Sequence, residues 1–92
     1  MNTPNIDYMM NMTKEFLNGE IDDITYCFDF PYEIEQRYRE MVREHQEYSE
    51  LIYDYLVEDG TNHHMQLSDK VFKTKIRKNY NYIKGVVRDG FY

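Results

Sequence analysis

The stretch PYEIEQRYREMVREHQEYSELIYDYLVE, residues 31–58, carries no glycine and no proline after Pro31. Its apolar residues form two stripes at three- and four-residue spacing: Ile34, Tyr38, Met41 and Val42, then Tyr48, Leu51, Ile52, Tyr55 and Leu56. That is the period of one helix face. Positions 38, 41, 45, 48, 52 and 55 keep the alternation unbroken, so the pattern alone allows a single helix. Such a helix would be about 42 Å long, too long for a small domain. A break near His45–Gln46 folds both stripes onto one core. The stretch therefore predicts two helices meeting at that break.

The flanking sequence reads the same way. Thr3 and Pro4 have the chemistry of an N-cap and first helical position. Ile6, Met9, Met10, Thr13, Phe16 and Leu17 then share a face, and Gly19 is a C-terminal stop. Ile21–Phe30 is ambiguous. Asp22 or Asp23 could cap a short helix burying Ile24 and Phe28, while Ile24, Tyr26, Phe28 and Phe30 alternate as a strand would. A lone strand has no partner here, which favours a short helix or an extended connector. Pro31 is expected to hold Phe30 extended and to open the next helix, with Asp29 helping to cap it.

Downstream, Asp59–Gly60 ends the long stretch and Thr61–Leu67 reads as a polar loop. Ser68 caps a last helix in which Phe72, Ile76, Tyr80, Ile83 and Val87 share a face, with Gly90 just beyond its end. Gly85 inside that helix costs about 1 kcal/mol relative to Ala, which close packing of another helix would explain. Residues 1–92 thus form one all-α domain, a compact bundle of about four helices with an unsettled segment near residues 22–30.

Composition narrows the function classes. The chain is 41% hydrophobic and 30% charged, as a globular chain is. No apolar run approaches the roughly 20 residues that cross a bilayer. The start, MNTPNIDYMM, has neither a basic leader nor an apolar run, and Cys27 is the sole cysteine. A reducing, cytoplasmic setting without membrane contact is the expectation. Ten tyrosines and no tryptophan suit the margins of a core, where rings seal helix contacts, and also binding surfaces.

Charge is segregated. Residues 1–60 hold fifteen Asp/Glu and four Lys/Arg, a balance of −11; residues 61–92 hold two and seven, a balance of +5, giving −6 overall. A local field of that sign repels nucleic acid and attracts basic proteins. Glu47, Glu50, Asp54 and Glu58 fall on one helical arc, and Glu40 and Glu44 extend it upstream. Like charges one turn apart cost about 0.2–0.5 kcal/mol per pair. Two readings follow. A partner's cations relieve the repulsion, with Tyr53 as an aromatic anchor beside the stripe. Alternatively, the cationic stripe Lys70, Lys73, Arg77, Lys84 and Arg88 of the last helix neutralises it internally.

Other chemistries find little support. The density of Lys73, Lys75, Arg77 and Lys78 beside Tyr80 and Tyr82 raises nucleic-acid binding, but the pI of 4.9 and the lack of a recognised motif oppose it. His63 and His64 are adjacent, point apart on most backbones and make a poor metal pair without further ligands. There is no HExxH, CxxC or glycine-rich phosphate loop. Cys27 lies in an apolar stretch, where a thiol is inert. No catalytic residue, cofactor or metal is expected, and the chain does not read as an enzyme.

Phe16-Leu17-Asn18-Gly19-Glu20-Ile21, then acidic residues and an aromatic stretch, then Asp29-Phe30-Pro31-Tyr32 and the Ile34/Tyr38 stripe resemble small bacterial immunity proteins. These include the colicin D immunity type and those of contact-dependent growth inhibition systems. The resemblance covers the first half of the chain, and the last helix by pattern. It implies an all-helical, non-enzymatic bacteriocin-type toxin inhibitor, acting in the cytoplasm through protein–protein interaction. The partner it implies is a cognate toxin with a basic nuclease domain, tRNA-cutting ones among them, whose cationic cleft takes up acidic side chains. On that reading Glu40, Glu44, Glu47, Glu50, Tyr53, Asp54 and Glu58 make the contact. The alternative from another class is a small regulatory or adaptor domain that self-associates through tyrosine-rich faces.

Overall fold

The structure, a computed structural model, describes residues 2–90. Four α-helices follow one another: α1 (Pro4–Leu17), α2 (Asp23–Glu44), α3 (Gln46–Ile52) and α4 (Asp69–Arg88). A π-helical turn, Tyr53–Glu58, continues α3, and a 3₁₀ helix, Thr61–Gln66, leads into α4. No strand occurs among the described residues. The fold is the expected all-α bundle.

α1 buries Ile6, Met9, Met10, Thr13 and Phe16, the face its spacing predicts. It ends in paired reverse bonds, Gly19 N–H to Phe16 O and Glu20 N–H to Glu15 O, at 3.1 and 2.8 Å. This stop needs a left-handed residue, and Gly19 supplies φ +81°. Thr3 does not cap α1 with its side chain. Its Oγ1 donates instead to Asp7 Oδ1 at 3.0 Å.

The expectation for residues 22–31 is corrected. Asp22 caps α2 by accepting from Thr25 N–H at 2.7 Å, and the helix then runs unbroken through Pro31. Phe30 is helical, and Asp29 and Pro31 open nothing. An interior proline removes the bond to the carbonyl four residues back and costs about 3 kcal/mol or more. Burial outweighs it. Tyr26, Phe30, Ile34 and Met41 are all fully buried on one face of α2, and each such side chain contributes about 1.5–3 kcal/mol. The strand-like alternation also has a cause. Tyr26 and Phe30 face the core, whereas Ile24 and Phe28 lie on the opposite, exposed side of the same helix.

At the core, the Tyr26 ring stacks on Phe16 with centroids 4.5 Å apart and planes at 8°, and the Phe30 ring lies tilted against it at 4.9 Å. Phe72 of α4 completes the cluster 5.7 Å from Phe16. The buried Tyr26 hydroxyl sits 2.8 Å from Thr13 Oγ1, which itself donates to Met9 O at 3.3 Å. One chain of bonds therefore satisfies both hydroxyls, Tyr26 donating to Thr13.

The break lies where the length argument places it. α2 stops at Glu44, His45 is extended, and its Nδ1 accepts from Tyr48 N–H at 3.2 Å to start α3. α2 alone, at about 33 Å, fills the molecule's longest dimension of 35 Å. The π turn closes with Asp59 N–H on Asp54 O at 2.9 Å. Asn79 of α4 locks it, donating to Tyr55 O at 2.8 Å and to Asp59 O at 3.1 Å. Gly60 is obligatory, because a Cβ there would run into the Leu56 carbonyl. Ser68 caps α4 through Val71 N–H at 3.2 Å, as expected. Thr61–Gln66 is helical rather than irregular. No neighbouring helix packs against Gly85 among the described residues; the Arg88 side chain comes near, at 3.9 Å.

Two stability measurements test this account. Pro31→Ala should stabilise the protein by about 1–3 kcal/mol in urea unfolding, since it restores a helix bond. A proline opening a separate helix would instead be neutral or helpful, and its loss would not stabilise. Thr13→Val should cost more, about 1–3 kcal/mol, than Tyr26→Phe, because it orphans a buried hydroxyl; the double variant should recover part of the loss.

Candidate functional site

The acidic stripe is not one surface. Glu47 and Glu50 of α3 and Asp54 of the π turn line a cleft of about 410 Å³, whose other wall is Tyr82, Val86 and Asp89 at the C-terminal end of α4. Leu51 lies among them. Glu40, Glu44 and Glu58 do not line it. Glu40 is paired with Arg43 on its own helix at 3.3 Å. Glu58 is exposed, and the wider π turn rotates it away from the line that regular helical spacing draws through Glu50 and Asp54. Tyr53 packs edge-on against Tyr38, centroids 5.5 Å apart. Burial, then the Glu50 and Asp54 carboxylates, push the Tyr38 hydroxyl above its usual range, placing this aromatic pair beside the acidic cleft.

Glu44 has an internal task. Its carboxylate accepts from the backbone N–H of Asn5 (3.0 Å) and of Ile6 (3.0 Å) and from Asn5 Nδ2 (2.7 Å). These are free N–H groups of the first turn of α1, and the carboxylate lies at the positive end of that helix dipole. Thr3 was the expected cap; Glu44 does the work from the far end of α2. Burial pushes its pKa up, but the bonds from Ile6 and Asn5 together prevail and hold it below the usual 4.5.

The cationic stripe of the last helix does not bridge the acidic stripe among the described residues. Among the described residues, no Lys or Arg forms an ion pair with Glu47, Glu50, Asp54 or Glu58. Glu50 accepts from the Gln46 amide at 3.0 Å. The bridge from α4 to the acidic half is Lys75 to Asp59 at 3.1 Å, and neither residue belongs to the stripes. The stripe's own cations meet other groups; among the described residues Arg88 alone of them reaches a carboxylate of the cleft wall, Asp89. Lys73 sits over the Phe16 ring, Lys84 over Tyr80, Arg77 reaches Leu17 O, and Arg88 pairs with Asp89.

The two adjacent histidines diverge. His63 faces Gln66 at 3.3 Å, whereas His64 Nε2 lies 3.0 Å from Asp23 Oδ2, with Asp69 close by. Ligand-type atoms of Asp23, His64 and Asp69 lie within 4.8 Å of one another. Asp23 and Asp69 are each the first residue of a helix, so two helix dipoles already supply positive potential there and disfavour an added cation. The His64 bond is the chief cause of the depressed Asp23 pKa; partial burial opposes it, and bonding to its own backbone and to Asp69 adds to the lowering. Burial, with Asp23 and Asp69 nearby, pushes the Cys27 thiol up to about 12, well away from a reactive thiolate. No described helix is long and apolar enough to cross a membrane.

Sequence reasoning missed the second wall of the cleft. Tyr82, Val86 and Asp89 carry no local signal for it, because only the packing of α4 beside α3 brings them there. No protein-family model, curated protein or solved structure matches the chain.

Glu44→Ala should destabilise the fold by about 1–2 kcal/mol near neutral pH, the size of a lost helix cap. The Glu44 carboxyl has a lower pKa folded than unfolded. Its contribution is therefore complete above about pH 4.5 and lost as pH falls through the lower folded value. Wild type and variant should converge in stability on acidification, as read by denaturant midpoints at each pH.

Proposed function

We propose that this chain is an immunity-type inhibitor that binds and neutralises a cognate bacterial toxin in the cytoplasm, without catalysis or cofactor. The observation that carries this reading is the cleft in which Glu47, Glu50 and Asp54 gather without an ion-pairing Lys or Arg among the described residues. An acidic concavity fits a basic partner, such as a nuclease domain whose own cleft is built to hold phosphates. The likeness of the Phe16–Ile21 and Asp29–Tyr32 segments to immunity proteins supports the same conclusion from another direction. Of the stripe expected to make contact, Glu44 is withdrawn, being committed to α1. Glu40 and Glu58 stand outside the cleft as peripheral charges. Tyr53, with Tyr38 behind it, is the aromatic flank.

In this mechanism the carboxylates act first, by drawing in a cationic surface from solution; desolvated aromatic contacts then set the lifetime of the complex. Direct nucleic-acid binding is disfavoured by the same field. Self-association as a small adaptor is the second reading, favoured by the exposed rings of Tyr8, Tyr32 and Tyr82. Light scattering across a concentration series separates the two, since an inhibitor need not assemble.

The test is charge reversal. Glu47→Lys, Glu50→Lys and Asp54→Lys together should leave the helical spectrum intact and slow association with the cognate toxin domain. The loss at low salt should be about ten- to a thousandfold, and small at high salt. Co-expression should no longer rescue growth. Full rescue by the folded triple variant would remove this surface from the mechanism.

A further inference from the structure

α2 is apolar on two opposite sides. Tyr26, Phe30 and Ile34 make the core, yet Ile24, Phe28 and Tyr32, one turn apart on the outer side, are 59, 74 and 61% exposed. Met65 of the 3₁₀ helix, 92% exposed, stands next to them across an open hollow of about 410 Å³. Ile24, Cys27, Phe28 and Met65 line that hollow, and carbon dominates its walls. Thr61, only 8% exposed, and His64 also line it, and the buried Thr61 hydroxyl has no hydrogen-bond partner among the described residues. A helix with apolar residues all round is normally covered on every side. Here one side is bare, and a contiguous bare patch marks an interaction surface.

The charge around the patch selects its occupant. Residues 15–36 contain seven Asp/Glu and no Lys or Arg. Asp22, Asp29 and Glu35 are exposed on the same helix segment or its cap. A second copy of this chain, docked symmetrically, would bring acidic rim against acidic rim. Anionic lipid headgroups would be repelled in the same way. A basic protein meets neither obstacle.

We propose that the outer face of α2 is a second docking surface, which takes an apolar or aromatic side chain of a basic protein into the hollow between Phe28 and Met65 while Lys or Arg beside that anchor meets Asp22, Asp29 and Glu35. This rests on the basic partner proposed above and adds the contact that supplies its apolar anchoring. The cleft at Glu47, Glu50 and Asp54 steers the encounter, and the α2 face holds it.

The probe is a synthetic amphipathic helical peptide of leucine and lysine, titrated into the full-length, isotope-labelled protein and followed by amide NMR shifts. Saturable shifts at Ile24, Phe28, Tyr32 and Met65 are expected. Phe28→Ser, at an exposed position, should leave the thermal midpoint unchanged and weaken binding about tenfold or more, as loss of an interface anchor does. A leucine–glutamate peptide should not bind. Shifts confined to Glu47, Glu50 and Asp54 would overturn this inference and leave the proposed function standing. Retention of the α2 shifts by the triple lysine variant would uphold it independently of that cleft. Equal binding of the glutamate peptide, no shift on the α2 face, or peptide-free shifts there that grow with protein concentration would each sink the idea.

Discussion

The Tyr26 ring is the contact on which the rest of the fold depends. It is stacked on Phe16 and in tilted contact with Phe30, and its hydroxyl closes a bond chain through Thr13 to the α1 backbone. That one side chain fixes the spacing and rotation of α1 against α2. It also explains how a helix can run through Pro31, since residues on both sides of the proline are needed on the same buried face. With α2 continuous, its far end arrives at the start of α1, and Glu44 falls within reach of Asn5 and Ile6. The break at His45 then sends α3 back across the core toward α4.

Residues of identical chemistry acquire different roles through that geometry. Glu44 and Glu47 lie three positions apart and look alike in the sequence. One is turned inward by the end of α2 and satisfies free backbone donors. The other follows the extended His45, projects from α3 and meets no cation among the described residues. A carboxylate held by fixed N–H dipoles contributes to stability, whereas one surrounded by others of its sign opposes it slightly. The acidic cleft is therefore a site where the free chain carries unfavourable charge that a cationic partner would relieve.

Much of the bundle is legible from spacing and punctuation. The α1 face, the Gly19 stop and the Ser68 cap are local features, read by local rules, and the His45 break follows from the length of helix that a small domain can hold. What is not legible is tertiary. Pro31 follows the rule for a helix boundary until the burial of Phe30 and Ile34 is known. The alternation of Ile24, Tyr26, Phe28 and Phe30 misleads because a two-faced helix and a strand share that pattern over four residues. Glu44 caps a helix some forty positions away in sequence, which no window reveals. The π turn at Tyr53–Glu58 shifts Glu58 off the line that regular spacing draws through Asp54. The candidate site was thus half visible: its α3 wall could be read, while the α4 wall could not.

The bare outer face of α2 and the uncompensated cleft pose the same energetic question. A chain of this size has little stability to spare, and both features leave surface or charge in a less favourable state than the fold could have provided. A salt bridge from α4 to Asp54 or a polar residue at position 28 would have been an available remedy for each. A basic partner of the proposed kind that bound only the folded chain and reached both would relieve them and add its binding energy to folding stability. Exposed Phe28 and the carboxylates of Glu47, Glu50 and Asp54 are then two parts of one proposed contact. Each is unfavourable in the isolated protein, and each becomes favourable against the same kind of surface, one that presents an apolar anchor among cations.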